Sequence, residues 1–243
     1  MVLTIDIGNT RTKGAVFEGN AVLEQFVTPE KEWQNKVSEI LDLYPKVDDL
    51  VVSSVGKTQI EHLENFKNRV KIHFISHESK FPFVNLYETP KTLGIDRMVL
   101  SAGAVLQFPK QNRLVIDAGT CVTYDYIDED DNYLGGAISP GIRLRYEALH
   151  EYTARLPLLE REIPSGDIGN STAQAIHSGV VNGVVKEIDG FVNSWTSGRS
   201  NFIIILTGGD ALFLAGQLKN IIFANPNFLL ESLNQTFQFS LND

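Results

Sequence analysis

Apolar and polar positions along this chain fall into short runs whose period changes repeatedly in the first hundred residues. LTIDIG (3–8), TKGAVFEG (12–19) and AVLEQFVT (21–28) are brief apolar-rich stretches. The last two meet at the turn Glu18-Gly19-Asn20, and spacing this short predicts strands in antiparallel hairpins. From Lys31 to Tyr44 the apolar residues Trp33, Val37, Ile40, Leu41 and Tyr44 recur at helical spacing, and Pro45 ends the helix. DLVVSSVG (49–56) reads as a buried strand, IEHLENFK (60–67) as a short helix and KIHFIS (71–76) as a strand. FPFVNLYETPKTLGID (81–96) has no period. Asp96 then opens an apolar helix, RMVLSAGAVLQF, that stops at Pro109.

The second half restarts at Leu114 with the same order of parts. LVIDAGTCVTYDYI (114–127) is an apolar run, an aspartate, a glycine turn and a second apolar run, with another strand over Leu134 to Ile138. SPGIRLRYEALHEYTARL (139–156) turns into a helix. After Ser171 a long helix is marked by Ile176, Val180, Val184, Ile188 and Val192. NFIIILTGGDA (201–211) is a strand running through a Gly-Gly turn into a helix from Ala211 to Leu218, and PNFLLESLNQTF (226–237) is helical. Asp6 and Asp117 stand 111 positions apart at equivalent points of the two halves. The expectation is a β-β-β-α unit used twice, in domains 1–110 and 111–243, with both acidic turns facing an interdomain cleft.

Composition narrows the class without naming it. The 243 residues suffice for one large or two small cores, and 43% hydrophobic with 21% charged residues is ordinary for a globular chain. No apolar stretch is long enough to span a bilayer, and the first residues read as a strand instead of a signal peptide. The lone Cys121 can form no internal disulfide; it is expected to pack as a small apolar residue. The expected location is cytoplasmic. A formal charge of −9 argues against general nucleic-acid binding, which needs a basic footprint, but not against nucleotides held by loops and metal ions.

The chemistry concentrates in the turns. In Asp6-Ile7-Gly8-Asn9-Thr10 the glycine allows a tight turn and close approach, so backbone N–H groups and the Asn9 and Thr10 side chains can hold phosphate oxygens. Asp6 alone would repel phosphate; it makes sense with a magnesium ion between, reached through water, while Lys13 adds a compact positive charge. One such turn could be a plain polar hairpin. Two at matching positions, together with TGGDA (207–211), argue for a nucleotide site.

DIGNTRTK (6–13), GIDR (94–97), DAGTCVTYD (117–125), GGAISPG (135–141), ARLPLL (154–159), NSTAQAIHSG (170–179) and TGGDA occur in that order over nearly the whole chain. The ordered set resembles the type III pantothenate kinases, members of the actin, sugar kinase and Hsp70 superfamily. The resemblance implies an α/β fold of two similar ribonuclease H-like halves, each around a central mixed sheet, with a cleft between them. It implies ATP-dependent phosphorylation of pantothenate to 4'-phosphopantothenate, the first step of coenzyme A biosynthesis, by a homodimer whose active site is shared between subunits. Asp96 resembles the family's base; read without the resemblance it is a helix N-cap. Asp6, Ile7, Gly8, Asn9, Thr10, Arg11, Thr12 and Lys13 would form the first phosphate loop, Thr120 the second, and Gly208 and Gly209 the adenine side. Tyr87, Gly94, Ile95, Arg97 and Thr172 would contact pantothenate, Thr172 across the dimer, although Thr172 also suits an N-cap. Asp117 resembles the ligand of a monovalent cation, potassium or ammonium. Arg143, Arg145 and Arg155 read as a solvated helix face or a dimer contact. Two other readings stay open: a kinase of the same superfamily acting on another alcohol, and a non-catalytic nucleotide-sensing regulator.

Overall fold

The structure, a computed structural model, describes residues 1–8, 11–53, 62–220 and 222–241. It resolves into two compact units, Met1–Gln107 with Asn227–Asp243, and Phe108–Pro226.

In the first unit, β1 (Val2–Ile7) and β2 (Arg11–Glu18) form the expected antiparallel hairpin, and β3 (Ala21–Pro29) adds to β2. β4 (Asp49–Ser53) and β5 (Lys71–Phe74) lie parallel on the other side of β1, giving the sheet order β3-β2-β1-β4-β5. Helix α1 (Trp33–Leu43) turns Trp33, Val37, Ile40 and Leu41 onto Leu3, Ile5, Leu50 and Val52. Each such buried aliphatic side chain contributes about 1.5–3 kcal/mol. The stretch 60–67 forms a 3-10 turn at Glu64–Phe66, Ile60 and Glu61 lying outside the described residues. A two-residue strand, β6 (Val84–Asn85), precedes helix α2 (Ile95–Gln107).

The second unit repeats this topology. β7 (Asn112–Ala118), β8 (Cys121–Ile127) and β9 (Asn132–Pro140) are antiparallel neighbours in chain order. β10 (Phe202–Thr207) and β11 (Phe223–Ala224) continue in parallel from β7, so its strands run β11-β10-β7-β8-β9. Helix α3 (Ile142–Glu151) follows β9. The predicted long helix is α4 (Thr172–His177), a π-turn over Ser178–Asn182, and α5 (Gly183–Thr196). Its stripe Ile176, Val180, Val184, Ile188 and Val192 packs on Leu114, Ile116 and Tyr124 of the same unit. That apolar stripe is therefore core and no argument for a second subunit. After β10, helix α6 is only Ala211–Ala215.

The last helix, α7 (Phe228–Leu241), corrects the expected division at 110/111, because it belongs to the first unit. It lies along α2 and against β1, β2 and β4. The reason is apolar: Leu230 joins Ala15 and Phe17 on the sheet face that α1 leaves uncovered. Gly103 permits the close approach, since a Cβ there would stand 1.9 Å from Ser232 Oγ. Asn234 Nδ2 and Gln238 Nε2 each donate to Gly19 O at 2.9 Å, tying the helix to the β2–β3 turn.

Candidate active site

In the first unit the acidic turn closes by Gly8 N–H donating to Arg11 O at 3.1 Å. Asp6, the last residue but one of β1, lies opposite Lys13, and Ser53 Oγ, on the neighbouring strand, donates to Asp6 Oδ1 at 2.8 Å. Burial pushes the Asp6 carboxyl above the usual range and the charge of Asp96 adds to this, while Ser53 and Lys13 oppose it. Asp6 thus lies within the field of Asp96, although 90 positions separate them in sequence. Asn9 and Thr10 lie outside the described residues. Arg11 is exposed, whereas Ile7 and Thr12 are buried, so any phosphate contact from those two comes from backbone.

Asp96 is not the N-cap. Helix α2 starts at Ile95, and Met98 N–H donates to Gly94 O at 3.1 Å, which makes Gly94 the capping residue. The Asp96 carboxylate folds back over Gly94, where a Cβ would meet Oδ1 at 2.3 Å, and accepts from the Arg97 N–H at 2.9 Å. Glycine at 94 leaves room for that carboxylate at the first turn of α2. Arg97 is buried, and its guanidinium carbon stands 6.0 Å from the centroid of the half-buried Tyr87 ring. Tyr87 is set by its own N–H donating to Asn85 Oδ1 at 3.0 Å. Gly94, Ile95, Asp96, Arg97 and Tyr87 therefore form one cluster around the start of α2.

In the second unit the turn repeats: Gly119 N–H donates to Cys121 O at 2.9 Å, leaving Thr120 exposed at the tip. Cys121 is exposed too, against expectation, because its pairing at the end of β8 turns it away from the core. The Gly-Gly turn after β10 sits directly on this loop. Gly208 has φ +98°, and a Cβ there would stand 2.4 Å from Asp117 Oδ1 and 2.5 Å from Ala118 O. Asp210 N–H donates to Ala118 O at 3.0 Å. Asp117, Thr120, Gly208 and Gly209 are thus parts of one corner. Gly141 closes it from the other side, its N–H donating to Thr120 O at 2.9 Å, with no space for a side chain against the Gly119 and Thr120 carbonyls.

Thr172 is the first residue of α4 and exposed; the cap is Ser171, whose Oγ accepts from Gln174 N–H at 3.3 Å. The Thr172 hydroxyl is therefore not spent on capping. Arg145 does not stand on a solvated face: it is largely buried and pairs with Glu187 at 2.6 Å. Sequence reasoning assigned no role in the site to Ser53, Asp210, Arg145 or Glu187. Ser53 lies within the strand stretch 49–56 and Asp210 within TGGDA, whereas nothing in the sequence links Arg145 to Glu187, on different helices 42 positions apart.

Two units of one topology, each with an acidic glycine turn after its first strand, define the fold shared by sugar kinases and actin-like ATPases. A Campylobacter jejuni protein described as a candidate Baf-family transcriptional activator has this fold, with a TM-score of 0.63 at 23% identity over 99% of this chain and 100% of its own. A Listeria monocytogenes protein described as a candidate N-acetylmannosamine kinase has it at 0.56 and 12% identity, over 99% of each chain. A profile of the type III pantothenate kinases matches residues 2–194, and a type III pantothenate kinase from Flavobacterium johnsoniae is 65% identical over 100% of both chains. The chain belongs to the type III pantothenate kinase family.

Proposed function

We propose that this chain transfers the γ-phosphoryl group of ATP to the primary hydroxyl of pantothenate, giving 4'-phosphopantothenate on the route to coenzyme A. The observation that carries the reading in detail is the cluster in the first unit. The acidic turn at Asp6, with Lys13 opposite it, shares its electrostatic neighbourhood with Asp96, and Asp96 is flanked by Arg97 and Tyr87. Phosphoryl transfer needs positioning and charge neutralisation more than covalent help.

Asp96 accepts the proton of the attacking hydroxyl. Arg97 holds the pantothenate carboxylate or amide oxygens, with Tyr87 beside it and Gly94 and Ile95 forming the adjoining wall. Lys13 and the backbone of residues 6–13 hold phosphate oxygens, Thr120 holds them from the second turn, and Gly208 and Gly209 present a flat backbone to the adenosine. Asp6 suits a divalent cation, because its buried carboxyl lies in the field of a second carboxylate, that of Asp96. Magnesium there supplies neutralisation of the phosphate charge, and Asp6 would reach it through water. Asp117 and the Ala118 carbonyl bring oxygen donors together at Gly208, which suits potassium or ammonium. Thr172, exposed with a free hydroxyl, serves a partner subunit's pantothenate in a homodimer. The same unit exposes Tyr152, Leu158, Ile163 and Ile168 as apolar surface for that contact. The enzyme works in the cytoplasm and needs neither nucleic acid nor membrane. No helix among the described residues is long and apolar enough to cross one.

The test is ADP release with ATP, magnesium and pantothenate, with potassium or sodium as the sole monovalent ion. Asp96→Asn is expected to lower kcat by about 10²–10⁴-fold, the range for a positioned base, without unfolding. Turnover independent of pantothenate, or untouched by the substitution, would refute the assignment.

A further inference from the structure

Behind the second turn lies a polar network that no motif announces. Arg145, in the first turn of α3, directs Nε back to Pro140 O at 2.8 Å and Nη2 to Glu187 Oε2 at 2.6 Å. The other Glu187 oxygen accepts from Tyr124 Oη at 2.9 Å and from Ser139 Oγ at 2.5 Å. One carboxylate on α5 thereby fixes β8, the end of β9 and the start of α3. Burial alone would raise the Glu187 carboxyl; the bonds from Arg145, Ser139 and Tyr124 outweigh it and hold it below the usual range. The residue after Pro140 is Gly141, whose N–H donates to Thr120 O and whose backbone touches the carbonyls of the turn.

We propose that Arg145 and Glu187 are positioning residues that hold the β9–α3 corner, and through Gly141 the second phosphate loop, in nucleotide-binding geometry. Thr120 is exposed at the tip of a two-residue connection, with little burial of its own to hold it. Its carbonyl is fixed by Gly141, Gly141 by the corner, and the corner by a charge-assisted pair with both partners about three-quarters buried. Arginine is needed because one guanidinium spans Pro140 O and Glu187 together, which an ammonium cannot reproduce. The inference rests on the reading of Thr120 as a phosphate contact.

The experiment is calorimetric binding of the magnesium complex of a non-hydrolysable ATP analogue, with hydrogen exchange at the Gly141 amide. Both are measured well below the unfolding temperature. Arg145→Met and Glu187→Gln are expected to weaken nucleotide binding roughly tenfold, a modest share of what a misplaced binding group costs. They should also raise Gly141 exchange, with KM for pantothenate unchanged. Arg145→Lys should fall between, and Tyr124→Phe, which keeps the ion pair, should bind nucleotide like the wild type. Should Arg145→Met fail to fold, the near-isosteric Glu187→Gln decides. Folded variants that lose melting temperature but keep nucleotide affinity and Gly141 protection would overturn the positioning role and leave the kinase reading intact. A wild-type protein that binds no nucleotide would overturn both.

Discussion

Asp6 carries opposite demands from folding and from function. Its carboxyl is raised in the folded state, by burial first and by Asp96 second. A raised carboxyl pKa means that ionisation costs stability: the cost is absent below the ordinary carboxyl range, grows as pH rises from there toward the folded-state pKa, and is complete above it. Asp6→Asn is therefore expected to melt higher than the wild type at pH 7 when ligand-free, with the difference closing in acid. It should also lose most phosphoryl transfer. Parallel melting curves at pH 7 and pH 3 check the first part, and ADP release the second. Gly208 is the other single residue on which much depends. Alanine there would have to adopt φ +98° with its Cβ against Asp117, so Gly208→Ala should cost about 1–3 kcal/mol and release the turn from the second loop. Urea denaturation measures the loss, and unchanged nucleotide affinity would contradict the placement of this turn.

At the scale of elements, the C-terminal helix α7 matters most to the first unit. Phe228, Leu229, Leu230, Leu233 and Phe237 are all buried. At about 2 kcal/mol each they represent roughly 10 kcal/mol, as much as a whole domain's net stability. Removing residues 227–243 is thus expected to leave the first unit unfolded, not merely shortened, as read by lost cooperativity in thermal melts. The milder Gly103→Ala should cost about 1–3 kcal/mol by forcing α2 and α7 apart at Ser232. The sequence showed α7 as a helix, because its apolar residues have helical spacing. Its destination was hidden, since an apolar stripe specifies burial and not the sheet that supplies it. The stripe from Ile176 to Val192 was ambiguous for the same reason, and it packs inside its own unit.

The whole molecule adds ligand and partner. Nucleotide at 100 times its Kd should raise stability by about 2.7 kcal/mol if it binds the folded chain alone, a shift that thermal melts with and without ATP and magnesium will register. For the proposed homodimer, Ile168, 90% exposed, and Tyr152, 85% exposed, are the apolar side chains among the described residues that most need cover. Ile168→Glu is expected to shift sedimentation from dimer toward monomer while each subunit stays folded. A wild-type chain that sediments as a monomer at micromolar concentration would remove the role given to Thr172.

The sequence by itself determined the repeated β-β-β-α pattern, the glycine turns and the family, because these are local. Period, turn chemistry and motif order are written in neighbouring residues, and the matching sheet orders of the two units follow from that repeat. It also marked the start of α2 to within a residue, though it made Asp96 the cap. The cap is Gly94, since a carboxylate folded over glycine leaves no signature that spacing can show. Only the tertiary structure decided that Asp6 and Asp96 share a field, that Gly208 rests on Asp117, and that Glu187 grips Arg145 behind Thr120. Those are contacts between residues far apart in the chain. They are fixed by strand order, by close packing at Gly141 and Gly208, and by the need of partly buried charges for partners.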